Sequence, residues 1–307
     1  MESLHSLLRT HWDHEPLRLT EARSGPRVCD PQAARFMERI PLKPVVPVMR
    51  IAENTTGLMS GLRQLIGAEA RRVFQNPSRL KEALRPRRWR QLIGMLTFYF
   101  RTGNRWCRAP QGEGFQKRVY SGYQEYLQHQ RTKLRYLDLS GYETDYQRHL
   151  AGRLAKAGCL KRGASVLCLG ARLGAEVRAF REQGCFAVGV DLNPGKQNPC
   201  VLPGDFHQIQ FPDGCVDVVF TNSLDHVFEA DQFIGEVKRV LKPSGLLILE
   251  GVKGRTEGVA PDAYASFWWN SLDDVTGLFE MNGFRLIDRS AFATPWPGEQ
   301  LCFEKLG

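Results

Sequence analysis

Apolar and polar positions from Ser165 onward alternate in blocks of strand and helix length. Ser165 to Leu169 is a short run of mostly bulky or β-branched residues that stops at Gly170, the pattern of a buried parallel strand entering a tight turn. Glu176 to Glu182 puts Val177 and Phe180 on one face and ends near Gly184, which predicts a helix. A second strand is predicted over Phe186 to Val190, with Asp191 directly at its tip, and a third segment ends in Gly204-Asp205-Phe206. Val216 to Phe220 reads as the fourth strand, Asp231 to Leu241 as a helix, and Leu246 to Leu249 as the fifth strand. Ser271 to Asn282 is predicted helical, and Gly283 to Arg289 and Glu299 to Lys305 as two final strands. Such alternation implies a parallel α/β sheet covered on both faces.

Upstream the pattern is less regular. Met1 to Arg39 has helix-like pieces, and the prolines at 41, 44 and 47 make a stiff connector. Thr56 to Leu84 and Arg88 to Phe100 are predicted helices, and Gly103 to Gly114 a glycine-punctuated loop. Ser121 to Asp138, carrying Tyr123 and Tyr126, and Tyr142 to Ala157 are predicted helices that lead into the first strand. Phe267-Trp268-Trp269 is placed in a loop beyond the fifth strand, as a substrate wall or as lid packing. The division expected is a basic, mainly helical region over 1–118 and an α/β domain over 119–307, with lead-in helices at 119–160 and the sheet core at 161–307.

Chemistry collects at the carboxyl ends of the predicted strands, where open α/β sheets bind ligands. Gly170 and Gly174 bracket a turn whose backbone can approach a ligand closely, and the helix after it points its free N–H groups at the same place. Asp191, 21 residues past Gly170, is spaced to accept from the hydroxyls of a ribose. Asp205 can accept from an exocyclic amine, and Phe206 offers a flat surface for a base. A nicotinamide dehydrogenase would need G-x-G-x-x-G; the G-x-x-x-G spacing here lacks the middle glycine.

This ordered series resembles the class I S-adenosylmethionine-dependent methyltransferases, and within them the compact methyltransferase-11-type domain. Phe211-Pro212-Asp213-Gly214 with Val216 to Phe220, and Leu241-Lys242-Pro243-Ser244-Gly245 with Leu246 to Leu249, match that family's entries to its fourth and fifth strands. The resemblance runs from about Asp145 to Gly307 and implies a Rossmann-like seven-stranded sheet whose last strand inserts antiparallel. It implies S-adenosyl-L-methionine as cofactor, held by Gly170, Ala171, Arg172, Gly174, Glu176, Asp191, Leu192, Asp205, Phe206 and Asn222. Two positions depart from the usual D-x-G-x-G-x-G: Cys168 replaces the lead acid and Arg172 the middle glycine. Arg172 either binds the cofactor's carboxylate or obstructs the pocket. The string G-A-R-x-G-x-E is similar to that of a sub-group of methyltransferase-like proteins.

Composition is ordinary for a globular protein, with 42% hydrophobic and 24% charged residues. The eight cysteines form no C-x-x-C pair, which argues against zinc and for a reduced, cytoplasmic setting. No signal peptide is indicated, and the longest apolar window, Leu92 to Phe100, is nine residues, too short to span a bilayer. Charge is uneven: residues 1–140 carry a net +13 and residues 141–307 a net −4. Between Arg71 and Arg108 stand eleven basic residues, ten of them Arg, against the single Glu82. That stretch is read as a solvated helix end, a peripheral contact with an anionic membrane, or a nucleic-acid surface.

Methyl transfer from a sulfonium asks the protein mainly for in-line positioning, with a base if the acceptor is a hydroxyl. The candidates are Asn222, Asp225 and His226 beyond the fourth strand, with His226 as base or orienting group and Asp225 as its partner; the structural alternative is that Asp225 and His226 cap the next helix. His207 is a weaker candidate. The expected function is methyl transfer to a small-molecule acceptor, lipid- or sugar-linked on the strength of the basic region. The alternatives are a non-catalytic cofactor-binding or interaction protein, and an RNA methyltransferase using the Arg-rich region. Thr221-Asn222-Ser223-Leu224, where an N-P-P-Y-type signature would stand, argues against base amino methylation.

Overall fold

The computed structural model describes residues 105–136, 140–262 and 264–307. The basic stretch up to residue 104, the proline connector and the helices expected before it lie outside the described residues.

Two sheets are present among the described residues. The smaller is antiparallel and joins β1 (Trp106–Arg108), β2 (Phe115–Arg118) and β8 (Phe267–Trp269). The larger has seven strands: β3 (Ser165–Leu169), β4 (Phe186–Asp191), β5 (Val201–Pro203), β6 (Val216–Thr221), β7 (Leu241–Val252), β9 (Phe284–Phe292) and β10 (Gly298–Lys305). Its order is β5-β4-β3-β6-β7-β10-β9, with β10 antiparallel between β7 and β9. This is the Rossmann-like class I sheet expected from the sequence.

Five helices complete the described residues: α1 (Tyr123–Tyr136), α2 (Ser140–Leu154), α3 (Ala175–Glu182), α4 (Ala230–Val240) and α5 (Leu272–Met281). Successive side chains of a strand point to opposite faces, and both faces of the large sheet are covered. Val166, Cys168, Val218, Phe220, Ile248 and Cys302 pack with α2 and α3. Leu167, Leu169, Val219, Leu247, Leu249, Leu301 and Phe303 pack with α4 and α5. That double burial is why the strands read as continuous apolar runs. Each large apolar side chain so buried contributes about 1.5–3 kcal/mol.

Three expectations change. Phe267-Trp268-Trp269 is no loop wall: it is the strand β8, at most 3% exposed, with Phe115 and Phe267 stacked at 5.3 Å. Gly103 to Gly114 is no plain loop either, because its described part begins a hairpin in which Trp106 pairs with Arg118 and Phe115 with Trp269. Residues 106–118 are thereby hydrogen-bonded to a strand of the 119–307 region. Finally, the ladder of β7 starts at Leu241 rather than Leu246. Val216 pairs with Leu241 and Val218 with Leu246, so Lys242 to Gly245 bulge out, with Ser244 at φ +55°. Lys242 Nζ donates to Asp217 Oδ1 at 2.7 Å and Ser165 N–H to Asp217 Oδ2 at 2.8 Å, which ties the bulge to β3.

No helix among the described residues is long and apolar enough to cross a membrane.

Candidate functional site

The glycine turn is held from the neighbouring strand. The N–H groups of Gly170 and Ala171 donate to the Val190 carbonyl at 2.9 and 3.2 Å, and the Arg172 N–H donates to Asp191 Oδ2 at 2.9 Å. Asp191 Oδ1 accepts from the Asn193 N–H at 2.8 Å. Two backbone donors thus fix the Asp191 carboxylate at the edge where β3 and β4 end. Gly170 lies at φ +70°, and a Cβ there would come within 2.5 Å of Ser223 Oγ. Gly174, at φ +89°, is the N-cap of α3. Arg172 is itself left-handed, at φ +43°. For a residue with a Cβ this costs on the order of 1 kcal/mol and is typical of ligand-binding turns.

A cavity of about 50 Å³ opens at this edge. Of the residues expected from the sequence, Gly170, Arg172, Asp191, Leu192, Phe206 and His226 line it. Tyr126, Gln130, Asn193 and Ser223 line it too and were not expected. Tyr126 and Gln130 stand one turn apart on α1, so a shared helix face was the available signal. The Tyr126 hydroxyl is buried and finds no hydrogen-bond partner among the described residues.

Asp205, His207, Asn222 and Asp225 are not among the residues that line the cavity. Asp205 Oδ1 accepts from the His207 N–H at 2.8 Å and from His207 Nδ1 at 2.9 Å, and its Oδ2 meets the Tyr123 hydroxyl. His207 Nε2 accepts from the N–H groups of Phe228 and Glu229 at 3.0 and 3.3 Å, so the ring hydrogen sits on Nδ1. His207, 2% exposed, is therefore a brace between two loops rather than a group facing the cavity. Asn222 donates through Nδ2 to Glu176 Oε1 at 3.2 Å. Asp225 and His226 belong to a single 3-10 turn and do not cap α4, whose N-cap is Glu229. His226 Nδ1 donates to the Tyr264 carbonyl at 3.1 Å, and Asp225 Oδ2 lies 3.6 Å from Nε2.

Behind the turn is a buried charge cluster. The Arg172 guanidinium lies 5.2 Å over the Tyr142 ring. Burial alone would depress its pKa, but the fields of Glu176, Tyr142 and Glu143 raise it above the ordinary arginine range. Burial pushes the Glu176 carboxyl up to about 8, against the opposing field of Arg172. Glu143 is likewise raised by burial.

Residues 167–249 match the family model described as a methyltransferase domain, of the methyltransferase-11 type. That segment contains β4, β5 and β6, most of β3 and β7, and every candidate site residue except Tyr126 and Gln130. No curated protein matches the chain. Among solved structures, it is similar to the 1,6-didemethyltoxoflavin-N1-methyltransferase of Burkholderia thailandensis, solved with 1,6-didemethyltoxoflavin and S-adenosylhomocysteine. The two share 15% identity at a TM-score of 0.50, over 64% of this chain and 97% of that one. A SAM-dependent methyltransferase from Aquifex aeolicus shares 20% identity, with a TM-score of 0.43, over 55% of this chain and 100% of that one. The PH0226 protein from Pyrococcus horikoshii OT3 shares 21%, with a TM-score of 0.46, over 58% and 98%. The first of these, at a TM-score of 0.50, speaks for the fold.

Proposed function

We propose that this chain, built on a methyltransferase domain, is an S-adenosylmethionine-dependent methyltransferase that acts on a small-molecule acceptor. The observation that carries the reading is convergence: the left-handed glycine turn, the Asp191 carboxylate, Phe206 and His226 meet at one cavity on the carboxyl edge.

The residues present fit the cofactor. The N-terminal turn of α3 and the cationic Arg172 suit a carboxylate. Asp191 keeps lone pairs for ribose hydroxyls beyond its two backbone bonds. Phe206 offers an apolar ring to the base. Glu176 and Asn222 sit behind the turn and are assigned to the amino-acid end. Asp205 is assigned to the exocyclic amine, for which the Tyr123 hydroxyl has to yield. Ala171, Gly174 and Leu192 shape the turn and the strand tip.

When bound, the sulfonium supplies an activated methyl group. What the chain adds is placement of the acceptor against it. Tyr126 and Gln130 on α1 and Ser223 beyond β6 wall the space in which an acceptor would sit. Because the Tyr264 carbonyl can only accept, His226 carries its hydrogen on Nδ1, and in the neutral ring Nε2 is the basic nitrogen. His226 takes the acceptor's proton at Nε2, and Asp225, 3.6 Å away, stabilises the charge gained.

The competing reading, a methyltransferase-like protein that binds no cofactor, draws on the 50 Å³ cavity and the Tyr123–Asp205 contact. Calorimetric titration with S-adenosylhomocysteine separates the two: saturable single-site binding is expected, and none at millimolar ligand would sink the enzyme reading. His226→Ala is expected to cut turnover about a hundredfold or more with cofactor affinity unchanged, measured once mass spectrometry of co-purified ligands identifies the acceptor. Unchanged turnover removes His226 from the mechanism. The lipid- or sugar-linked acceptor and the RNA alternative both rest on Arg71 to Arg108, nearly all of it outside the described residues.

A further inference from the structure

Glu143 and Glu176 are a buried pair that the fold satisfies only by half. Glu143, on α2, is 5% exposed, and Glu176, in the first turn of α3, is 1% exposed. Glu143 Oε2 accepts from the Ala175 N–H at 3.3 Å, and Glu176 Oε1 accepts from Asn222 Nδ2 at 3.2 Å. The other oxygen of each, Oε1 of Glu143 and Oε2 of Glu176, finds no hydrogen-bond partner among the described residues. Buried polar atoms are nearly always paired, so two orphans at one place call for a reason.

The same sheet shows what a carboxylate with a purely structural task looks like. Glu250 accepts from Arg153 Nε and Nη2, the Tyr146 hydroxyl and Gln300 Nε2, all at 2.7 to 2.9 Å. Nothing comparable serves Glu143 and Glu176. Arg178 approaches Glu143 Oε2 alone, at 3.8 Å. Arg172 acts on both through its field but forms no ion pair with either among the described residues. It stacks on Tyr142 and faces the cavity.

What these oxygens lack is a compact donor of positive charge with several hydrogens, and an ammonium is that group. The two carboxylates flank the glycine turn, one from α2 and one from the start of α3, on the side where the cofactor's amino-acid end is assigned. The lead-acid position of the resembled motif holds Cys168, a fully buried thiol, so that position supplies no carboxylate, whereas Glu143 and Glu176 do.

We propose that Glu143 and Glu176 together receive the α-ammonium of the cofactor's amino-acid end, with Arg172 taking the carboxylate beside it. Arg172 then clamps instead of obstructing, and the helix α2 becomes part of the cofactor site. This inference rests on the cofactor reading above.

The test removes the ammonium from either side. Binding of S-adenosylhomocysteine, of its analogue with hydrogen in place of the amino group, and of 5′-methylthioadenosine is measured by calorimetry on wild type, Glu143→Gln and Glu176→Gln, each checked for folding by circular dichroism. Wild type is expected to bind the des-amino analogue about ten- to a hundredfold more weakly than S-adenosylhomocysteine, the range for losing a charged hydrogen bond. Each variant is expected to lose a similar factor for S-adenosylhomocysteine, while its affinity for the des-amino analogue and for 5′-methylthioadenosine stays at the wild-type value. If the variants keep the wild-type preference for the amino group, the carboxylate pair does not hold it, and the cofactor reading stands without this inference. If wild type binds none of the three, both fall together. The des-amino comparison on wild type needs no variant to fold.

Discussion

Glu176 carries a consequence for stability that can be measured without any ligand. It faces Arg172 on the turn, Glu143, Tyr142 and Tyr146 on α2, Cys168 on β3 and Asn222 beyond β6. Burial raises its carboxyl from the ordinary 4.5 to about 8. Below 4.5 the group is protonated in folded and unfolded chains alike. Between 4.5 and 8 the unfolded chain has ionised it while the folded one keeps the proton, so rising pH favours unfolding, by about 1.4 kcal/mol per pH unit. Urea unfolding of wild type and Glu176→Gln across this range is expected to show wild type losing stability relative to the variant up to about pH 8, then levelling. A difference that does not change with pH would show Glu176 ionised throughout. At this scale the sequence was informative wherever a residue's task is local. Asp191 and the Gly170 turn were legible because strand tip and turn chemistry are written in consecutive residues. Glu143, Tyr126 and Gln130 were not, because only helix packing brings them to an edge made by residues 170–226.

Elements followed the same division. The strands β3, β4 and β6 were readable because burial on two faces makes unbroken apolar runs. The three-residue β8 was not: three aromatics show no period, and its partner β2 is about 150 residues away. The bulge in β7 was hidden for a similar reason, since Lys242-Pro243-Ser244-Gly245 has the composition of a link and the pairing of Leu241 with Val216 is a long-range matter. The helix α5 is the opposite case, with its start encoded locally. Ser271 Oγ accepts from the Asp274 N–H at 3.2 Å, and Asp274 Oδ2 accepts from the Ser271 N–H at 2.9 Å, a reciprocal cap. Ser271→Ala is expected to lower stability by about 1 kcal/mol, read as a shifted urea midpoint with an unchanged slope. Because α5 packs on the face of the sheet away from α2 and α3, S-adenosylhomocysteine affinity should be unaffected.

For the molecule as a whole, the join between the lead-in helices and the antiparallel end of the sheet depends on Arg153. It grips Glu250 with two hydrogen bonds, donates to the Thr294 carbonyl at 2.9 Å and lies 4.1 Å over the Phe292 ring. Removing it strands a fully buried carboxylate. Arg153→Met is expected to cost about 3–5 kcal/mol, measured by chemical denaturation, and Arg153→Met with Glu250→Gln to recover part of that loss. If the double variant is no more stable than the single one, the buried charge is not what Arg153 compensates.

From its order of residues alone this chain determined an α/β sheet, the carboxylate at the tip of β4, and the glycine turn beside it. Those features follow from burial period and from bond geometry within a few residues. The tertiary structure decided which helices close the edge, that Asp205 and His207 brace each other, and that Glu143 joins Glu176 around Arg172. Such pairings depend on how distant elements pack, and packing is a property of the whole core that no local pattern records.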